Sequence, residues 1–98
     1  MLIKLEKSPR KNKKYRIYFV TDDGYKTTDF GAGGMEDFTI HKNKERKERF
    51  LNRFNKLIKK YADNPFSPMT LSHLILWNKP NLKASLKDYA EKFNLNII

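Results

Sequence analysis

The sequence predicts an α+β fold, in which an N-terminal antiparallel β-meander of about three strands is followed by three helices. Two patterns of apolar residues indicate this order. Before residue 30 they alternate with polar residues, as in strands that bury one face, whereas beyond residue 44 they recur every three or four positions, as in helices. With 98 residues, the chain has room for a single domain, 1–98, and one small core.

The β-meander rests on three short segments. Residues 2–6 place apolar side chains at every second position, and residues 15–20 alternate in the same way with β-branched and aromatic residues. Residues 21–24 supply a turn that ends on Gly24, which can adopt positive φ. The third segment, residues 25–30, follows the turn and is therefore predicted to pair with residues 15–20.

The longest helix is predicted to run from about Lys44 to Tyr61. Its apolar residues form one stripe at 3.6 residues per turn: Phe50, Leu51, Phe54, Leu57, Ile58 and Tyr61. Asn43 is a suitable N-cap because its side-chain oxygen can accept a hydrogen bond from a backbone N–H of the first turn. Asn64 and Pro65 end the helix.

Two further helices are predicted before the chain ends. Ser67 precedes Pro68, the residue pair expected at an N-cap and the first helical position, and this short helix runs to Trp77. Asn81 caps a last helix that contains Leu82, Leu86, Tyr89 and Phe93. The apolar tail, Leu95, Ile97 and Ile98, must then either pack on the core or contact a partner.

Several classes of site are excluded or disfavoured. There are no cysteines, which excludes disulfides, thiolate zinc sites, iron–sulfur clusters and cysteine nucleophiles. His41 and His73 are isolated, and the acidic pairs Asp22-Asp23 and Glu36-Asp37 lack a third ligand, so we expect no metal and no cofactor. The longest apolar run is far too short to cross a bilayer, and we expect an intracellular protein that is not an enzyme.

Positive charge is concentrated in one part of the chain. Lys and Arg number 21 against 11 Asp and Glu, a net charge of +10. On the long helix, five cations follow one edge of the apolar stripe over roughly 20 Å: Arg46, Arg49, Arg53, Lys56 and Lys60. Such a row matches consecutive phosphates of a nucleic acid, since few acidic residues neighbour it. The alternative is a solvated helix face whose cations only keep it in water.

A second basic cluster lies near the N-terminus: Arg10, Lys11, Lys13 and Lys14. These residues could contact phosphate, or form a nuclear-import signal, which is typically short and rich in Lys and Arg. Alternatively, the lysines could protect an edge strand from pairing with another chain.

Two other features have a structural and a functional interpretation. Gly31, Gly33 and Gly34 lack the spacing of a phosphate-binding loop and more simply form a corner between strand and helix. Trp77 is expected to anchor the core, with a base-stacking platform as the alternative if its ring is exposed.

Five motifs resemble a family of small, uncharacterised basic proteins that large nucleocytoplasmic DNA viruses encode, among them the marseillevirus, mimivirus and algal-virus groups. The motifs are Lys14-Tyr15-Arg16, Asp29-Phe30-Gly31, Asp37-Phe38-Thr39-Ile40-His41-Lys42, Glu45-Arg46-Lys47 and Leu76-Trp77-Asn78-Lys79-Pro80. The resemblance implies a viral protein of the virion, or of the viral factory in the host cytoplasm or nucleus. It implies no catalytic residues.

The sequence therefore supports two hypotheses for function. In the first, the nine cations of the two basic clusters bind DNA or RNA without sequence preference. In the second, the protein is a structural or interaction module, such as a homodimeric virion component, whose cations face an acidic protein surface. Neither hypothesis involves a membrane partner.

Overall fold

A computed structural model describes all 98 residues and has four strands and several helices. In chain order the elements are β1 (Leu2–Lys7), β2 (Lys13–Thr21), β3 (Gly24–Ala32), α1 (Phe38–His41), α2 (Lys44–Arg53), α3 (Asn55–Lys60), α4 (Pro68–Leu71), a π-helical turn (Ser72–Leu76), α5 (Leu82–Lys92) and β4 (Asn96–Ile97). The predicted α+β class, with an N-terminal meander followed by helices, is confirmed. The longest helix has 11 residues, and none is long and apolar enough to span a membrane.

The strands form one sheet in the order β3-β2-β1-β4. β1 and β3 both pair antiparallel with β2, and the β2–β3 hairpin closes where Thr21 lies opposite Gly24, which has a φ of +136°. Ile3 lies opposite Phe19 on the face that the helices cover, as the alternation of the sequence predicts.

The core lies between this face of the sheet and the C-terminal half of the chain. Nine buried residues form it: Ile3, Ile17, Phe19, Phe30, Leu71, Ile75, Leu76, Tyr89 and Ala90. The Tyr89 hydroxyl donates a hydrogen bond to the carbonyl of Pro65 (2.7 Å), so the buried phenol is satisfied. Neither α2 nor α3 contributes a fully buried residue.

The predicted helix from Lys44 to Tyr61 is in fact two helices, interrupted at Phe54. Phe54 has φ −103° and ψ +14°, outside the helical region, although its N–H still donates to the Phe50 carbonyl (3.0 Å). Asn52 and Asn55 flank the interruption, and asparagine is one of the weaker helix formers. The row of five cations is therefore divided between α2 and α3.

The caps of the other helices agree with the sequence. The Ser67 side chain accepts from the Met69 N–H, with Pro68 at the first position of α4, and Asn81 accepts from the Ala84 N–H at the start of α5. After α4 the predicted helix widens into the π-helical turn, in which the Trp77 N–H donates to the Ser72 carbonyl, five residues earlier (3.1 Å).

The C-terminal tail adds a short strand that the sequence did not predict. β4 runs parallel to β1, because the Asn96 N–H donates to the Met1 carbonyl (3.0 Å) and the Ile98 N–H to the Ile3 carbonyl (2.8 Å). Leu95 packs against the core, whereas the Ile98 side chain is 65% exposed. The tail thus packs on the sheet but leaves apolar surface at its edge.

Gly31, near the end of β3, packs against the π-helical turn. It has a φ of +81°, and a Cβ atom at this position would lie 2.8 Å from the Cδ1 atom of Leu76. Gly34 has almost the same φ, +79°, but a Cβ atom there would meet nothing within 4 Å. The two glycines therefore share one backbone conformation and differ in how close the neighbouring atoms lie.

We expect Gly31→Ala to lower the free energy of unfolding by about 1–3 kcal/mol more than Gly34→Ala does. Both substitutions strain the backbone equally, but only the first forces Leu76 to move. Urea denaturation of the two variants measures the difference. Equal losses would contradict the close packing of Gly31 on Leu76.

Candidate nucleic-acid interface

One cleft, of about 450 Å³, opens beside α2. We call it the arginine cleft, because one wall carries the arginines of α2. The remaining walls come from Lys14 of β2, from the end of β3 with the loop that follows it, and from the π-helical turn with Trp77. Fourteen residues line the cleft: Lys14, Gly31, Ala32, Met35, Glu36, Asp37, Arg46, Arg49, Phe50, Arg53, Phe54, Ser72, Leu76 and Trp77.

The position of α2 depends on its N-cap and on two contacts with the loop after the π-helical turn. The Asn43 side chain accepts hydrogen bonds from the first turn of α2, as predicted from the sequence. The Phe50 ring stacks on Trp77, with ring centroids 4.5 Å apart and planes 5° apart. Lys47 Nζ donates to the carbonyl of Asn78 (2.7 Å). These contacts hold the helix with its arginines along the cleft.

Trp77 is a half-buried anchor in this arrangement. Phe50 covers one face of the indole, and His41 lies 5.3 Å from it. Trp77 also packs against the core, so its position agrees with the interpretation of this residue as an anchor.

Both acidic residues of the arginine cleft are paired with cations. Lys14 Nζ contacts the Asp37 carboxylate, and both side chains are largely buried. Arg46 Nη1 lies 3.2 Å from Glu36 Oε1 in an exposed pair. Lys14 and Arg46 are therefore not the uncompensated cations that we expected from their place in the two basic clusters.

The Asp37 carboxylate also begins α1. It accepts a hydrogen bond from the Thr39 backbone N–H (2.9 Å) and another from the Thr39 hydroxyl. The sequence analysis considered Glu36 and Asp37 only as an incomplete metal site and did not predict their place beside the arginines. The only signal was an acidic pair within a strongly basic chain, and their basic partners could not be chosen without the tertiary fold.

Arg49 and Arg53 line the cleft without a carboxylate within 4 Å. Both are exposed, and they lie four residues apart on one side of α2. Lys56 and Lys60 are also exposed and free of carboxylates, but they lie on α3, outside the residues that line the cleft.

The N-terminal basic cluster does not join the cleft as a unit. Arg10 lies 3.8 Å from Asp29, which already accepts two hydrogen bonds from Arg16, and these contacts keep the pKa of Asp29 below its usual range. Lys11 is exposed in the β1–β2 connection, and Lys13 is half-buried at the start of β2. Only Lys14 of this cluster reaches the cleft.

The protonation state of His41 affects the cap of α2. Its Nδ1 atom accepts a hydrogen bond from the Asn43 backbone N–H (2.9 Å), and its Nε2 atom is buried without a partner. Burial, reinforced by the positive charge of Arg46, lowers the pKa of His41. Protonation would place a second donor against the Asn43 N–H, at the residue that caps α2.

We expect the free energy of unfolding to fall as the pH drops below about 6.5, the ordinary pKa of histidine, because the unfolded chain then binds protons that folded His41 does not. Burial also lowers the pKa of His73, which contributes in the same direction. His41→Asn keeps an acceptor for the Asn43 N–H and does not titrate. It should lose less stability between pH 7.5 and pH 5 than the wild type in urea titrations.

His73→Asn is the control for this measurement, since it removes the other histidine and leaves the cap of α2 intact. If the His41→Asn variant lost as much stability as the wild type over this pH range, His41 would not be the titrating group.

Comparisons with known proteins give a family but no characterised relative. No match is found among curated proteins or among solved structures. Residues 3–54 match a family described as a family of unknown function, DUF5754. This match covers more than half of the chain, from β1 to the end of α2, and includes the three arginines of the cleft. The chain therefore belongs to the family DUF5754.

Proposed function

We propose that the protein binds nucleic acid through its phosphates and without sequence preference. The observation that carries this proposal is the pair Arg49 and Arg53, two exposed guanidinium groups beside a cleft whose acidic residues are already paired. Guanidinium forks suit phosphate oxygens, and an uncompensated pair gains most from a polyanion.

Lys56 and Lys60 extend the positive charge along the chain from α2 into α3. Arg49 and Arg53 lie roughly 6 Å apart along the axis of α2, and Lys56 and Lys60 lie roughly 6 Å apart along α3, at 1.5 Å per helical residue. Each strand of a duplex carries one phosphate per ~3.4 Å of axis, so each pair spans about two phosphates. An extended polyanion therefore fits these four cations better than a small anion does.

We expect binding to a DNA duplex to weaken with salt at a log–log slope of about −3.6, for four neutralised phosphates. The double variant Arg49→Gln with Arg53→Gln should bind more weakly and halve the slope to about −1.8, because two phosphate contacts are lost. Fluorescence anisotropy at four salt concentrations measures both quantities.

Lys83→Gln with Lys87→Gln is the matched control. These lysines are exposed, four residues apart on α5, and outside the cleft, and the double variant has the same net charge as the arginine variant. Equal effects of the two double variants would show that only total charge matters. Polyglutamate that competed as well as DNA would favour an acidic protein surface as the partner.

The resemblance to proteins of large DNA viruses adds a location to the proposal. A small basic protein that neutralises phosphate has a use in a particle filled with DNA, or in the viral factory that assembles it. A protein inventory of purified particles tests this location.

A second candidate function, a homodimeric structural module, is favoured by the uncovered face of the sheet. Leu2, Val20 and Tyr25 lie opposite one another across three strands on the face away from the core. Tyr25 is 68% exposed, and Ile98, which is exposed at the opposite edge of the sheet, lines the same surface pocket. Two copies could cover these residues by apposing their sheets.

If this face forms a dimer, the wild type should sediment as a dimer at micromolar concentration and Tyr25→Glu as a monomer, because the carboxylate would be buried without a partner. Ile40→Glu is the control, since Ile40 is also exposed, at 56%, but belongs to α1. A wild type that is monomeric at all concentrations would exclude this candidate.

A further inference from the structure

We infer that the arginine cleft holds one unpaired nucleobase, so that the protein prefers single-stranded to duplex nucleic acid. This inference rests on the proposed function and adds the class of substrate. The cleft combines enough volume for a base, aromatic walls and two uncompensated guanidinium groups.

The size and the lining of the cleft suit a planar ring. Its volume of about 450 Å³ lies within the range of small-molecule pockets, roughly 300–1,000 Å³. Phe50, Phe54 and Leu76 give it apolar walls. The Arg53 guanidinium lies 5.3 Å from the centre of the Phe54 ring, and both groups are of the kinds on which unpaired bases stack.

The positive net charge of the cleft favours a planar ligand that also carries a negative charge. Asp37 and Glu36 are matched by Lys14 and Arg46, so the two remaining arginines give the lining a net charge of +2. A nucleotide meets the requirements of the apolar walls and of the arginines, because its base is planar and its phosphate lies one sugar away from the base. Arg49 and Arg53 at the side of the cleft would then contact the phosphates on either side of the inserted base.

The π-helical turn adds a polar group to this wall. Such turns are rare and occur frequently at functional sites. Here the turn brings Ser72 to the cleft, and its hydroxyl makes no hydrogen bond within the protein. A hydroxyl both donates and accepts, and it can therefore contact the edge of any base without selecting one.

A duplex cannot use this cleft without disruption. A paired base must leave its stack and its partner to enter a protein pocket, which opposes insertion by a few kcal/mol. The bases of a single strand are already available. A duplex would therefore contact only the exposed cations, whereas a single strand would contact these cations and the cleft.

Three fluorescent probes of equal length test the inference: oligothymidine, an abasic strand with the same phosphates, and a duplex. One stacked base contributes about 1–3 kcal/mol, so oligothymidine should bind roughly 5- to 150-fold more tightly than the abasic strand. Trp77 is the only tryptophan and lines the cleft, so oligothymidine should change its emission and the abasic strand should not.

A pair of variants isolates the cleft without changing charge. Ala32 and Thr27 are both exposed on β3, but only Ala32 lines the cleft. Ala32→Phe should reduce the affinity for oligothymidine to that for the abasic strand. Thr27→Phe should leave the preference for oligothymidine over the abasic strand unchanged.

The outcomes separate the two proposals. Equal affinity for oligothymidine and the abasic strand, with no change in Trp77 emission, overturns base insertion and leaves phosphate binding in place. Failure of all three probes to bind at low salt overturns the proposed function and the inference together.

Discussion

The ion pair between Lys14 and Asp37 is the constraint on which the geometry of the site depends. Asp37 is 2% exposed, so its charge lies away from water and requires a partner. Lys14 supplies that partner from β2, and the same carboxylate begins α1. Removing one member of a buried pair typically costs about 3–5 kcal/mol. The pair thus fixes the path of the chain from the sheet to α2.

This constraint also determines which cations remain available. Once Lys14 and Arg46 are matched with acidic residues, the local excess of charge belongs to Arg49 and Arg53 on α2 and to the lysines of α3. A net charge of +10 is a property of the composition, but an interface depends on which charges lack a partner. Arg46, the first residue of the basic row, is for this reason a weaker candidate than Arg49 and Arg53.

Local signals in the sequence predicted much of the fold. Alternation identified the meander, and the caps at Asn43, Ser67 and Asn81 were confirmed because a cap depends only on residues two or three positions away. Features that need distant partners were missed. β4 has two residues and exists only because β1 offers a free edge, and α1 is a single turn that begins at a buried carboxylate. The cleft could not be predicted for the same reason, since four segments that lie far apart in the sequence form it.

The sequence predicted one long helix with an apolar stripe, and the structure divides it into α2 and α3. An apolar stripe predicts that a helix packs on the core, yet α2 and α3 contain no fully buried residue. Phe50 of α2 stacks on Trp77, a residue that lies outside the nine-residue core, and both rings line the arginine cleft. The core is complete without α2 and α3, since its nine residues come from the sheet, α4, the π-helical turn and α5. These two helices are thus the part of the fold whose surface is least required for packing and most available for binding.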